Sequence, residues 1–338
     1  MTNIGVIGCG YWGPNLIRNF FQMPEAEMKI AADLSQDRLK YLQSLYPGLS
    51  ITTDYMDIID NPEIDAVAIA TPVFTHRRFV MEALAKGKHV FVEKPMASSL
   101  KDARDMIALA EKMQKRLMVG HTFEYHAAVR KIKEIIDSGE LGDVYYINSQ
   151  RLNLGLFQKD INVVWDLAPH DISIILYLLG KEPEEIVTTG TCHVNPEIQD
   201  VATVSMTFKD NIIAFIQCSW LDPNKVRKMT IVGSKKMLVY DDIQQNEKLW
   251  IFDKGVDVPS HYDTFADFQY SYRYGDITIP KIDNYEPLKF ELQHFVECIE
   301  NGGTPQTDGQ NGLRVVKILE AAQHSIDNGG KRIRFDMD

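Results

Sequence analysis

Ile4-Gly5-Val6-Ile7-Gly8-Cys9-Gly10-Tyr11-Trp12-Gly13 stands at the start of the 338-residue chain. A short apolar run reads as a strand and stops at glycines spaced GxGxxG, and Asn15 to Met23 then reads as a helix. The next strand, Met28 to Ala32, ends at Asp33, 20 residues beyond Gly13. Strand, glycine turn, helix, strand and acid at these separations describe a dinucleotide cradle. Gly8 permits the tight turn, Gly10 lets the backbone approach a pyrophosphate, and Gly13 lets helix and strand pack closely. The free N–H groups of the helix N-terminus then face the phosphates. Asp33 reads either as a ribose-binding acid or as the cap of the next helix. As a ribose ligand its carboxylate accepts from both hydroxyls and repels a 2′-phosphate, so NAD is expected over NADP. Gln36 and Arg38 are the nearest groups to a phosphate and leave NADP open.

The same alternation continues outward. Helical patterns at Asp37–Leu45, Arg77–Ala85 and Asp102–Met113 separate apolar runs at 66–70, 90–92 and 117–119. Parallel strands need such crossovers, so residues 1–120 are expected to be an α/β Rossmann domain. From residue 121 to 338 the pattern turns to α+β. After a helix at Val129–Ile136, strand runs at 144–152, 185–194, 201–208, 211–220, 228–232 and 237–240 predict a large, mostly antiparallel sheet. A helix is expected at Asp171–Leu179, and two more at Leu288–Glu300 and Gly312–Asp327, packing back on the first domain. Asp253 to Glu286 is rich in tyrosine (Tyr262, Tyr270, Tyr272, Tyr274, Tyr285) and reads as irregular.

Composition narrows the partners. Acidic residues outnumber basic ones 47 to 36, a formal charge of −11, which argues against nucleic acid. The four cysteines have neither CxxC nor zinc-ligand spacing, so no metal is expected and a reducing, cytoplasmic compartment is. No apolar run reaches a membrane span, and the N-terminus lacks a signal-peptide pattern.

Glu93-Lys94-Pro95 follows the strand Val90-Phe91-Val92. Ligands of open parallel sheets sit beyond the carboxyl ends of strands, which places Lys94 on the cofactor side. Asp166 and His170 lie four residues apart at a helix start and share a face. With these motifs, Thr71-Pro72 and His76, Asp166-Leu-Ala-Pro-His170-Asp171, and Leu319-Glu320-Ala321-Ala322 with Ser325, the whole chain resembles the glucose–fructose oxidoreductase / inositol dehydrogenase / MocA family. The resemblance implies that Lys94 hydrogen-bonds a reacting hydroxyl, that His170 transfers its proton, and that Asp166 supports the charge. It adds Glu93 and His76 as cofactor-side and supporting groups, and Thr71, Pro72, Tyr11 and Trp12 as cofactor contacts beside the glycines and Asp33. It also implies a homodimer or homotetramer.

Substrate choice is less marked. Where inositol-type members carry Asn-Arg-Arg-Phe, this chain has His121-Thr122-Phe123-Glu124-Tyr125-His126. Phe123, Trp165 and Arg151 are candidate substrate contacts. Arg151 either pairs with a substrate phosphate or carboxylate or lies on a solvated strand face. The stretch Ser219–Pro223 with Lys225, Arg227 and Asp241-Asp242 is similar to members that oxidise C3 of nucleotide-linked hexoses. The expected activity is interconversion of a secondary sugar hydroxyl and a ketone. The alternatives are an inositol or free-sugar dehydrogenase, an aldose–aldose oxidoreductase, and a non-enzymatic NAD-binding regulator.

Overall fold

The computed structural model describes residues 1–257 and 270–335. The chain divides into two units, Met1–Tyr125 with Glu286–Glu320, and His126–Tyr285 with Ala321–Asp338. The boundary expected at residue 120 thus falls at Tyr125, and the first unit takes back a late segment.

The first unit alternates β1 (Thr2–Ile7), α1 (Gly13–Phe21), β2 (Ala26–Ala32), α2 (Gln36–Leu45), β3 (Ser50–Thr52), α3 (Met56–Ile59), β4 (Ala66–Ile69), α4 (Val73–Ala85), β5 (His89–Glu93), α5 (Leu100–Lys112) and β6 (Leu117–Gly120). The six strands are parallel in the order β3-β2-β1-β4-β5-β6. The order reverses between β1 and β4, where doubly wound sheets bind ligands beyond the strand ends. Every residue of β4 is buried, because helices cover both faces of a central parallel strand. Pro14 starts α1 at a position that has no intrahelical N–H to lose.

The second unit begins with α6 (Ala127–Asp137), β7 (Val144–Leu152), α7 (Val163–Leu179), β8 (Glu185–Thr191), β9 (Val201–Thr207) and β10 (Ile213–Ser219). β11 (Val226–Gly233), β12 (Met237–Asp241), β13 (Leu249–Asp257) and β14 (Ser271–Thr278) follow. The first unit then resumes with α8 (Pro287–Glu300). α9 (Gly309–Asp327) runs through the division at Glu320, and β15 (Ile333–Arg334) ends the described chain. α8 lays Leu288, Leu292, Phe295 and Val296 into one core with Ile4, Val6, Ile17 and Phe20. The Phe295 ring meets Phe91 edge-on, 5.9 Å between centroids, and burying a side chain of that size contributes roughly 1.5–3 kcal/mol.

The second sheet has nine strands in the order β14-β13-β12-β11-β7-β10-β9-β8-β15. Its pairs are antiparallel except β7 with β10, and α7 packs against β7, β9 and β10.

Two expectations are corrected. α7 starts at Val163, eight residues before the expected Asp171. Asn162 caps it, its Oδ1 accepting from Val164 N and Trp165 N at 3.1 and 3.2 Å, and Pro169 lies inside it. Proline has no N–H for the carbonyl of Trp165, which is why it reads as a helix boundary. Second, the tyrosine-rich stretch contains the end of β13 and all of β14, Tyr272 and Tyr274 lying at strand spacing on one face. Tyr262 lies outside the described residues.

Candidate active site

The glycine turn is built by contacts only glycine allows. Gly8 has φ +97°, and a Cβ there would stand 2.5 Å from the carbonyl oxygen of Ala70. A Cβ on Gly13 would overlap the carbonyl oxygen of Gly8. In front of Gly10 the nearest group is Arg38 Nη1, 3.7 Å from where a Cβ would be. α1 carries neither a capping side chain nor an acidic residue in its first turn, so its N–H groups remain for an anion. Tyr11 is exposed and Trp12 half-buried.

Asp33 closes the other side. Its Oδ2 accepts from Cys9 N at 2.7 Å and its Oδ1 from Ser35 N at 2.8 Å. Ser35, rather than Asp33, caps α2. Each carboxylate oxygen has a second lone pair for a ribose hydroxyl, and Arg38 Nη1 lies 3.7 Å from Oδ2. Turn, helix end and acid together fit a dinucleotide.

His76 ties the second turn to the third. Its Nε2 contacts the carbonyl of Thr71 at 2.8 Å and its Nδ1 that of Pro95 at 2.9 Å. Burial, helped by the charge of Lys94, holds it below the usual histidine range. Pro72 precedes α4, and the Thr71 and Thr75 hydroxyls bond at 2.6 Å. The Lys94–Pro95 peptide is cis. Lys94 stands just beyond the carboxyl end of β5.

Beside it lies a set of buried ionisable groups, of which the sequence pattern singled out only Glu93. Glu93 Oε2 accepts from Lys94 N at 3.3 Å, and a Cβ on Gly120 would stand 3.0 Å from that oxygen. Burial pushes this carboxyl up to about 7, against the opposing pull of Lys94, its N–H and the Trp12 indole. Glu291 on α8 accepts from Thr122 Oγ1 at 2.6 Å; burial raises it well above the carboxylate range, and the charges of Glu93 and Glu124 add to that. Glu124 accepts from Gln306 at 3.3 Å and Asn311 at 3.2 Å, and burial pushes it up to about 7. His121 is 1% exposed, and burial, with Lys94 and Arg314, drives it down to about 3. Glu291 was legible as a carboxylate on the apolar stripe of Leu288, Leu292 and Phe295. Phe123 lies in the 3-10 turn Thr122–Tyr125 of the same unit.

The second unit holds the remaining candidates. Asp166 sits in the first turn of α7, its Oδ2 accepting from Trp220 Nε1 at 3.0 Å. It is not the cap. His170 follows one turn later on the same helix, and Trp165 is half-buried beside Asp166. Arg151 fits neither sequence reading. It is 6% exposed, and its Nε and Nη2 donate to Asp171 at 2.7 and 3.2 Å. A buried fork-shaped donor against a carboxylate is a structural ion pair.

The model of an oxidoreductase family with an NAD-binding Rossmann fold matches residues 2–121, and that of the GFO/IDH/MocA C-terminal domain matches 129–239. The oxidoreductase YrbE of Bacillus subtilis is 27% identical over 96% of this chain and 94% of its own. Myo-inositol 2-dehydrogenase of Thermotoga maritima is 25% identical over 96% of each. The structure of UDP-N-acetylglucosamine 3-dehydrogenase from Acidithiobacillus ferrooxidans aligns with a TM-score of 0.80 at 22% identity, covering 97% of this chain and 99% of that one. Likeness at that identity speaks to the fold. Among the described residues no helix is long and apolar enough to cross a membrane.

Proposed function

The chain belongs to the GFO/IDH/MocA family of NAD-binding oxidoreductases, and from that premise we propose that it interconverts a secondary hydroxyl and a ketone on a sugar, most specifically C3 of a nucleotide-linked hexose. The observation that carries this is Lys94 at the carboxyl end of β5, beside the glycine turn's strand order, in a chain that also sets Asp166 and His170 one turn apart on α7. Bound NAD supplies the hydride acceptor. Gly8, Gly10, Gly13 and Asp33 hold it, Lys94 orients the substrate hydroxyl, and the hydroxyl proton passes to His170 or Lys94. Asp166 supports the charge that results.

An exposed aromatic surface on the second sheet, with Tyr146, Phe215, Tyr272 and Tyr274, supports a homodimer or homotetramer. The substrate is tested by melting the NAD-loaded protein with a uridine diphosphate hexose and with an inositol. Selective binding raises apparent stability, and a rise with inositol alone would refute the nucleotide-sugar assignment.

A further inference from the structure

We propose that His121 is a cofactor-contacting residue whose imidazole accepts a hydrogen bond from the carboxamide N–H of the nicotinamide; the assignment rests on the NAD-dependent reading above. β6 pairs in parallel with β5, Glu93 opposite Gly120, so Lys94 and His121 leave the carboxyl ends of neighbouring strands side by side. The backbone at His121 is pinned, its N–H donating to Val119 O at 2.7 Å and its carbonyl accepting from Glu124 N at 2.9 Å. A dinucleotide with its pyrophosphate at α1 and one ribose at Asp33 sends its other half across the switch point toward β4, β5 and β6.

The ring is built for a partner that the protein does not provide. It is 1% exposed, yet neither Nδ1 nor Nε2 has a hydrogen-bond partner among the described residues. Leaving buried polar atoms unpaired is costly. Burial, with Lys94 and Arg314 as positive neighbours, keeps the imidazole neutral, so it presents one donor and one acceptor. A carboxamide N–H is a partner for the acceptor nitrogen.

The test uses the full chain and two dinucleotides, NAD and its acetylpyridine analogue, in which a methyl ketone replaces the carboxamide. The analogue keeps the carbonyl and lacks the N–H. Dissociation constants are measured by titration calorimetry for wild type, His121→Phe and His121→Gln. Wild type is expected to favour NAD. His121→Phe should weaken NAD by about tenfold and reduce the preference for NAD over the analogue, while His121→Gln, which both donates and accepts, should retain much of it. The ligand-free His121→Phe protein should melt at or above wild type, because it loses no protein hydrogen bond. An unchanged NAD-to-analogue ratio in His121→Phe overturns the proposal, as does a marked fall in its melting temperature. Wild-type protein that binds no NAD would remove the functional reading itself, whereas NAD bound with an unchanged ratio removes only the role of His121.

Discussion

Replacing Asp171 with asparagine takes the counter-charge from a guanidinium that is 6% exposed. Three hydrogen bonds converge on this carboxylate: two from Arg151 at 2.7 and 3.2 Å, and one from Ser149 Oγ at 2.7 Å. Removing one partner of a buried pair costs about 3–5 kcal/mol, because the other charge stays buried. Asparagine keeps one oxygen acceptor, which places the expected cost near the low end, about 3 kcal/mol. In a domain of this size each kcal/mol moves Tm by about 2–4 °C, so the drop should be about 6–12 °C. Fluorescence-detected melting suits the measurement, since Trp165, Trp220 and Trp250 lie in the second unit with the pair. The double variant Arg151→Met/Asp171→Leu should recover most of the loss, an apolar pair having no desolvation to offset. The structural reading is refuted if Asp171→Asn melts like wild type while Arg151→Met weakens substrate binding at unchanged stability. Arg151 would then be a substrate group.

Three further outcomes are expected. Burial raises Glu93 and pushes Glu124 up to about 7 against 4.5 for the ordinary carboxyl, so the folded chain keeps protons that the unfolded chain has lost; stability should fall as pH rises from 4.5 through 7, by about 3 kcal/mol for Glu124, and denaturant melts across that range should show a weaker pH dependence in Glu124→Gln. Asp33→Ser should move cofactor preference toward NADP by about tenfold, because Arg38 loses its neighbouring carboxylate, and paired titrations of NADH and NADPH check this. Gly13→Ala drives a Cβ into the carbonyl of Gly8; it should cost about 1–3 kcal/mol and lower NAD affinity, read by melting and by titration.

The Rossmann unit was legible because its physics is local. A strand, a glycine turn and a helix follow one another within residues 2–21, and Asp33 lies at a separation set by one crossover. Long-range pairing was not. Nothing near Arg151 in the sequence announces that Asp171 meets it from α7. Pro169 hid the first two turns of α7, because the usual cost of an interior proline outweighed the cap at Asn162. β14 was missed because its side chains are nearly all exposed, so no apolar alternation marks it. The buried carboxyls show the same limit: Glu124 reads as an ordinary polar residue, and only Gln306, Asn311 and Arg314, nearly two hundred residues later, make its burial intelligible.

The account rests most heavily on Lys94 and His170 serving one reaction, and single-turnover kinetics tests that most directly. NAD-loaded wild type, Lys94→Ala and His170→Ala are mixed with the hexose nucleotide, and the appearance of reduced nicotinamide is followed by absorbance. Both variants should bind NAD normally yet transfer hydride on the order of 10²-fold more slowly or worse. Near-normal transfer in both would contradict the account.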